Sequence, residues 1–210
     1  TTLEDGADLI TASAGTSNFR AGVNAGNSIQ SGGNYNVTVG DEAGTAISTG
    51  DNNTFVGYAS GDALTTGTES VAVGSNALSA AVASDKNTAL GAYALRNDQE
   101  GESSVAVGHQ ALNAQNFTTA TSAYNVAVGA NAGVSVSTGT QNTLVGGLAG
   151  DALTTSTGNV ALGYNALSTA TTGNLNVAVG NSALANSTAS NNTAVGFAAN
   201  QLNTTGSSNV

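Results

Sequence analysis

The 210-residue chain contains no cysteine, methionine or tryptophan, and only four phenylalanines and five tyrosines. The absence of cysteine excludes disulfide bonds and cysteine metal sites. The hydrophobic 40% of the sequence is mostly Ala and Val, so few large side chains are available to fill a thick interior. Any core must therefore be thin, and stability must come from backbone pairing and assembly.

Basic residues are almost as scarce. Arg20, Lys86 and Arg96 stand against 13 carboxylates, which gives a net charge of −10. Because neutralising phosphate groups requires Lys and Arg, this balance argues against a nucleic-acid partner. After residue 102 the only charged side chain is Asp151, apart from His109 when it is protonated. That half of the molecule has to be solvated by Thr, Ser and Asn.

Long hydrophobic runs are also missing. No segment approaches the roughly 18 apolar residues of a transmembrane helix, and the first residues lack the basic and apolar regions of a signal peptide. The chain does not begin with Met, as expected of a processed or excised piece. The missing signal therefore says little about targeting.

What the sequence does contain is a repeat. A glycine recurs eleven times, most often every 17 residues. A short, near-constant period repeated this often is typical of solenoids, whose units cannot bury their apolar faces alone. The repeat glycines are Gly22, Gly40, Gly57, Gly74, Gly91, Gly108, Gly129, Gly146, Gly163, Gly180 and Gly196.

A fixed pattern precedes each glycine. Four residues before it stands Asn, replaced by Ser70 and Ser104 in two turns, and the next three positions alternate as in Val71-Ala72-Val73. This alternation predicts a short strand. Stacked amides can form a ladder along the solenoid axis, and Asn also tolerates turn conformations, so we expect the column to serve pairing and turning. Its members are Asn18, Asn36, Asn53, Asn87, Asn125, Asn142, Asn159, Asn176 and Asn192.

The middle residue of each strand is mostly apolar, so neither face of the strand is suited to water. One face can point into the narrow interior of the coil. The other face needs a partner that the chain itself does not supply. The pattern therefore predicts self-association.

The repeat glycine is expected at positive φ, or where two backbones approach too closely for a Cβ atom. Three residues later stands Ala in ten turns, and from there two turn types diverge. One type continues with Leu, as at Leu78, whereas the other has Gly and then an apolar residue three positions on, as at Gly61 and Leu64. We predict that both types fill the same interior slot by different backbone routes.

The rest of each turn is Thr, Ser, Gly and Asn, which indicates outward loops. Coils separated by the strand spacing of about 4.8 Å give a rod on the order of 50 Å long, with open sheet edges at its ends. We predict a lead-in segment over residues 1–17, the repeat over 18–206, and the start of a continuing segment over 207–210.

The "NVAVGxxA" turn resembles the head repeat of trimeric autotransporter adhesins. The 17-residue form with "TTG" loops, as in "NVALGYNALSTATTGNLNVAVGNSAL", resembles stretches of phage tail-fibre proteins still more closely. The resemblance covers about residues 18–206. It implies a left-handed parallel β-roll assembled as a homotrimer, in which sister chains cover the apolar outer face. The loop is longer than in the adhesin heads, so their collagen or matrix binding is unsupported here.

Candidate site residues are few, and no column combines acid, base and nucleophile types. We expect no enzymatic activity, no cofactor and no metal site. His109 is expected to be an exposed loop residue. The acids Asp98, Glu100 and Glu102, and the cluster of Glu4, Asp5 and Asp8, make calcium conceivable, but their spacing matches no calcium loop and solvated loop acids are preferred.

The single 21-residue turn brings Phe117 and Tyr124 into its enlarged loop. Exposed aromatic residues on a loop can mark a contact site, and we keep these two as a possible surface contact. The alternative is that they pack back over the coil.

The sequence thus predicts an all-β structural fibre module, extracellular and most simply part of a viral tail fibre or virion appendage that mediates host attachment. Its expected partners are two further copies of itself, other fibre or virion proteins at its ends, and a host-surface receptor, conceivably a glycan, bound through another segment. The alternative is the head of a bacterial surface adhesin. An ice- or carbohydrate-binding solenoid would need regular outward Thr pairs, and the loop Thr residues shift by one or two positions.

Overall fold

The computed structural model of the chain describes residues 13–210. Within this range the protein is all β, with thirteen short strands and no helix. The strands are β1 (Phe19–Ala21), β2 (Val37–Val39), β3 (Thr54–Val56), β4 (Val71–Val73), β5 (Thr88–Leu90), β6 (Gly101–Glu102), β7 (Val105–Val107), β8 (Thr121–Ser122), β9 (Val126–Val128), β10 (Thr143–Val145), β11 (Val160–Leu162), β12 (Val177–Val179) and β13 (Thr193–Val195).

Eleven of these strands form one parallel sheet in which spatial order follows chain order. The pairing stays in register throughout, so that Ala72 lies opposite Ala89 and Ala89 opposite Ala106. A chain that returns to the same sheet one strand further along at every coil is a parallel β-solenoid. The predicted all-β parallel solenoid is therefore confirmed. The remaining pair joins β8, within the long turn, to β6 of the preceding coil.

The strands expose their two faces unequally. The middle residue of nearly every three-residue strand is fully buried, as for Ala72 and Ala106, whereas its neighbours are half-buried or exposed. Because successive side chains point to opposite faces, the middle column faces the interior and the flanking columns face outward. The polar exceptions in the middle column are Arg20, which is half-buried, and Thr38, whose buried hydroxyl has no hydrogen-bond partner.

The interior is a thin stack of Ala and of one larger side chain per coil. Leu78 of the first turn type and Leu64 of the second are both fully buried. A Cβ atom built on Gly44 would lie 2.7 Å from Cδ1 of Ile47, and one on Gly150 would lie 2.8 Å from Cδ1 of Leu153. The apolar residue three positions on thus occupies the space beside the glycine. Both turn types therefore bury their larger side chain in the interior, in agreement with the prediction that they fill one slot.

The repeat glycines satisfy both conditions expected of them. Gly146 has a φ of +134°, and a Cβ atom there would lie 2.5 Å from the carbonyl oxygen of Gly163 in the next coil. Positive φ strains any residue with a side chain, and here the neighbouring backbone also leaves no room. The same arrangement recurs at the other repeat glycines, where the adjacent coil's glycine carbonyl group is the first obstacle, except at Gly196, whose added Cβ would meet only Cβ of Ala199 at 3.9 Å.

The hydrogen-bond pattern of the repeat extends slightly beyond the boundaries predicted for it. The amide of Tyr35 donates to the carbonyl of Thr16, and the amide of Thr193 donates to the carbonyl of Asn209 at 2.7 Å. Residues at the end of the predicted lead-in and in the predicted continuing segment thus already belong to stacked coils. Residues 1–12, including Glu4, Asp5 and Asp8, lie outside the described range.

No helix within residues 13–210 is long and apolar enough to cross a membrane.

Candidate assembly surface and polar ladders

The Asn column forms the predicted ladder. Oδ1 of Asn36 accepts a hydrogen bond from the main-chain amide of Asn53 at 3.0 Å, while Nδ2 of Asn36 donates to the carbonyl of Gly50 at 2.8 Å. The same pair of bonds recurs at Asn142 and Asn159. Each amide side chain therefore ties one coil to the next and also bridges its own coil, which satisfies buried backbone groups.

The turning role assigned to the Asn column belongs instead to the residue before it. Tyr35, Lys86 and Gln141 have φ values of 58°, 60° and 59°, in the left-handed region. The following Asn residues do not have positive φ. The prediction that the Asn column serves pairing is therefore confirmed, and the prediction that it also serves turning is wrong.

A second polar ladder, not recognised in the sequence, lies two residues before the Asn column. Oδ1 of Asp51 accepts from the amide of Asn34 at 2.6 Å, and Oδ1 of Asp85 accepts from the amide of Thr68 at 2.7 Å. In the C-terminal half, Oδ1 of Asn174 accepts from the amide of Thr157 at 2.7 Å. The available signal was a column of short side chains with acceptor oxygens, hidden because it mixes Asp, Asn, Thr and Ser.

The Asn ladder is interrupted at Ser104, and a residue from the long turn fills the gap. Nε2 of Gln115 donates to Oγ of Ser104 at 3.1 Å, and Oε1 of Gln115 accepts from Nδ2 of Asn125 at 2.9 Å. Gln115 is fully buried. The 21-residue turn thus restores through Gln115 the link that the short serine cannot make.

Asp98 completes this buried cluster, so its interpretation as a solvated loop acid is wrong. Its side chain is fully buried and accepts bonds from Nε2 of Gln115 at 2.6 Å and from the amides of Gly101 and Phe117 at 3.1 and 3.0 Å. Burial raises the pKa of the Asp98 carboxyl group, and these three hydrogen bonds only partly oppose the increase. Glu100 and Glu102 remain partly exposed.

The structure separates the two aromatic residues of the long turn. Phe117 is only 7% exposed, so the hypothesis that it forms a surface contact is wrong. It packs back over the coil because its amide is held by the buried Asp98. Tyr124 is 58% exposed and occupies the left-handed position before Asn125, with a φ of 50°. Of these two aromatic residues, only Tyr124 is available for contact with another molecule.

His109 lies on the surface, as expected, but in a small cluster. Its ring meets that of Tyr93 edge-on, with the centroids 6.1 Å apart. Cζ of Arg96 lies 5.3 Å from the centroid of the same tyrosine ring, within the range of a cation–π interaction. Tyr93 therefore holds an imidazole and a guanidinium group on one surface. Within residues 13–210, no three acidic or histidine side chains form a group that could hold a metal ion.

The most extensive apolar feature is the outer face of the eleven-stranded sheet, here called the outer stripe. It consists of the first and third residues of each strand. The third position is aliphatic in every strand, whereas the first alternates mainly between Val and Thr. Several of these side chains are substantially exposed, including Val73, Leu162 and Val195. A continuous aliphatic stripe along the whole sheet is larger than the scattered apolar exposure of ordinary surfaces.

These features define the class of the molecule: a β-solenoid repeat protein with internal polar ladders and an uncovered apolar sheet face. No protein-family model matches the chain, and neither the curated proteins nor the solved structures include a detectable relative.

Proposed function

We propose that this solenoid is a structural module of an extracellular attachment fibre, most simply a viral tail fibre, in which three copies pack their outer stripes together. The observation that carries the proposal is the outer stripe itself. Aliphatic side chains are stabilised when they leave water. The described part of the chain places no segment over this face. The left-handed sense and the threefold symmetry come from the sequence resemblance.

The geometry suits a mechanical role. Every coil is joined to the next by strand pairing, and most coils also by the Asn ladder or the second ladder, so that bending the rod would strain many hydrogen bonds together. Such a rod holds a receptor-binding region at a fixed distance from the particle. Weak contacts made by several chains and fibres then add through effective concentration.

The test is the mass and shape of the purified chain. Multi-angle light scattering should give about three times the 20.2 kDa of one chain, and electron microscopy should show a rod on the order of 50 Å long. A stable, folded species with the mass of one chain would contradict the proposal.

The same geometry would serve the head of a bacterial surface adhesin. A viral fibre and a bacterial adhesin would differ in the sequence that follows the repeat in the full reading frame. A coiled coil and a membrane anchor would indicate the adhesin, and a tip or chaperone domain would indicate the viral fibre.

A second candidate function, binding of ice or neutral sugars by an array of threonine hydroxyl groups, has less support than the fibre. Thr138, Thr155 and Thr172 are exposed at the same position of three successive coils, so these residues are more regular than the sequence suggested. Thr49 and Thr66 hold the same exposed position in two earlier coils, but Ala83 and Glu100 in the coils between interrupt the array. We therefore favour the fibre.

A further inference from the structure

The cluster at Tyr93 lies in an area without acidic side chains, at the boundary between the acidic N-terminal half of the chain and its nearly uncharged C-terminal half. Segments 75–80, 92–97, 109–114 and 130–135 occupy equivalent positions in four successive coils and contain no Asp or Glu. Arg96 and His109, two of the few basic side chains in a chain of net charge −10, lie in the middle of this neutral area. In the column of Arg96 the nearest carboxylates are Asp62, two coils before it, and Asp151, three coils after it, so the two adjacent coils place no carboxylate beside its guanidinium group.

Arg96 is exposed, and the only partner that the structure shows for it is the Tyr93 ring. Among residues 13–210 no carboxylate pairs with its guanidinium group. The cation–π contact holds the guanidinium group near the ring and leaves its N–H donors to an incoming acceptor, and a planar fork of donors matches a carboxylate.

Uncharged hydrogen-bonding groups surround this cation. Gln110 lies in the coil below Tyr93, since its amide donates to Ala92 in the coil of Tyr93 at 3.0 Å. Asn113 is fixed there as well, because its Nδ2 donates to the carbonyl of Tyr93 at 2.9 Å. The side-chain oxygen of Asn113 can accept a hydrogen bond from a neighbouring hydroxyl group, and the side-chain amide of Gln110 can both donate and accept one.

We infer that the surface formed by Tyr93, Arg96, His109, Gln110 and Asn113 binds a carboxylate-bearing sugar of a host-surface glycan. One guanidinium group and one imidazole match a single negative charge. The acidic side chains of the N-terminal half disfavour a polyanion such as nucleic acid or a heavily sulfated chain. The amides match the hydroxyl groups of a sugar ring. This inference rests on the proposed attachment function, and it places receptor binding within the repeat itself.

The test uses immobilised oligosaccharides ending in glucuronate, galacturonate or sialic acid, each beside a counterpart whose carboxyl group is esterified. The intact chain should bind at least one acid and lose binding on esterification. Arg96→Gln should weaken that binding about ten-fold or more, since it removes a charge-assisted bidentate contact. Lys86→Gln is the matched control, because it removes one exposed positive charge at a different corner and should change binding less than about two-fold.

Two results would overturn the site: no binding to any of the acids by the folded chain, or equal weakening by both variants, which would indicate non-specific charge attraction. Mass and shape are measured on the same samples. An assembled fibre without glycan binding contradicts the site alone, whereas a single-chain species that still binds the acid contradicts the fibre alone.

Discussion

At the scale of single residues, the repeat glycines carry the tightest constraint in the molecule. Gly146 and Gly147 are adjacent but differ sharply, since a Cβ atom on Gly147 meets only ordinary contacts, the nearest at 3.5 Å from Cδ2 of Tyr164. Gly146→Ala places a methyl group against the backbone of the next coil and strains φ. We expect it to destabilise the chain by several kcal/mol.

Gly147→Ala is the control and should change stability by less than about 1 kcal/mol. Denaturant unfolding followed by circular dichroism measures both variants. Equal effects of the two substitutions would show that the coils do not approach each other as closely as described.

Asp98 makes a residue-scale prediction about pH. Its pKa in the folded chain is raised by burial, so the protonated form is favoured in the folded state and the charged form in the unfolded state. Its contribution to stability is therefore greatest below its ordinary pKa of about 4. That contribution is lost as pH rises from there through the raised value.

Asp98→Asn removes this titration. The difference in melting temperature between the original chain and the variant should therefore shift in favour of the variant as pH increases from about 4 toward neutrality. A difference that stays constant over this range would show that Asp98 titrates normally. Glu100→Gln, which changes a partly exposed acid in the same turn, should give little pH-dependent difference.

At the scale of the element, the two turn types should be interchangeable. Leu78 lies in register with Gly61 of the preceding coil, and Ala81 lies in register with Leu64. Leu78→Gly alone should cost about 2–5 kcal/mol by leaving a cavity, less the strain released at its φ of 54°. Ala81→Leu alone should cost about 1–3 kcal/mol through overpacking.

The double variant converts the coil to the Gly type and should be more stable than either single variant, because the new leucine fills the space left by the old one. A double-mutant cycle of unfolding free energies measures this coupling. Additive losses would mean that the two positions do not share one slot.

The period, the strands, the glycine column and the Asn ladder could all be predicted because each is repeated in many coils. The errors at Asp98 and Phe117 fall where a position differs from its column. Asp98 is buried because Gln115 and the amide of Phe117 reach it from the next, longer turn, and such a contact between unlike coils has no repeat signal. Phe117 is buried for the same reason. The hydrogen bond from its main-chain amide to Asp98 also turns its side chain inward.

At the scale of the whole molecule, the outer stripe is expected to determine whether the chain is a monomer or assembles with further copies. Val107 lies near the middle of the sheet on the outward face, and it is half-buried in the isolated chain. Val107→Asp leaves the interior untouched but would bring three unpaired carboxylates into an apolar interface of the trimer, each costing several kcal/mol. We expect the chain to keep its β-sheet circular dichroism spectrum while light scattering shows a shift to single chains.

Thr119→Asp provides the control, since it adds the same charge to an exposed loop position and should leave the mass of the assembly unchanged. Salt dependence separates two explanations of a positive result. General charge repulsion weakens as ionic strength increases, whereas the cost of burying a carboxylate in an aliphatic interface persists. Dissociation of Val107→Asp at high salt, with Thr119→Asp still assembled, would therefore place the sister chains on the outer stripe. Assembly that survives Val107→Asp would place them on another face.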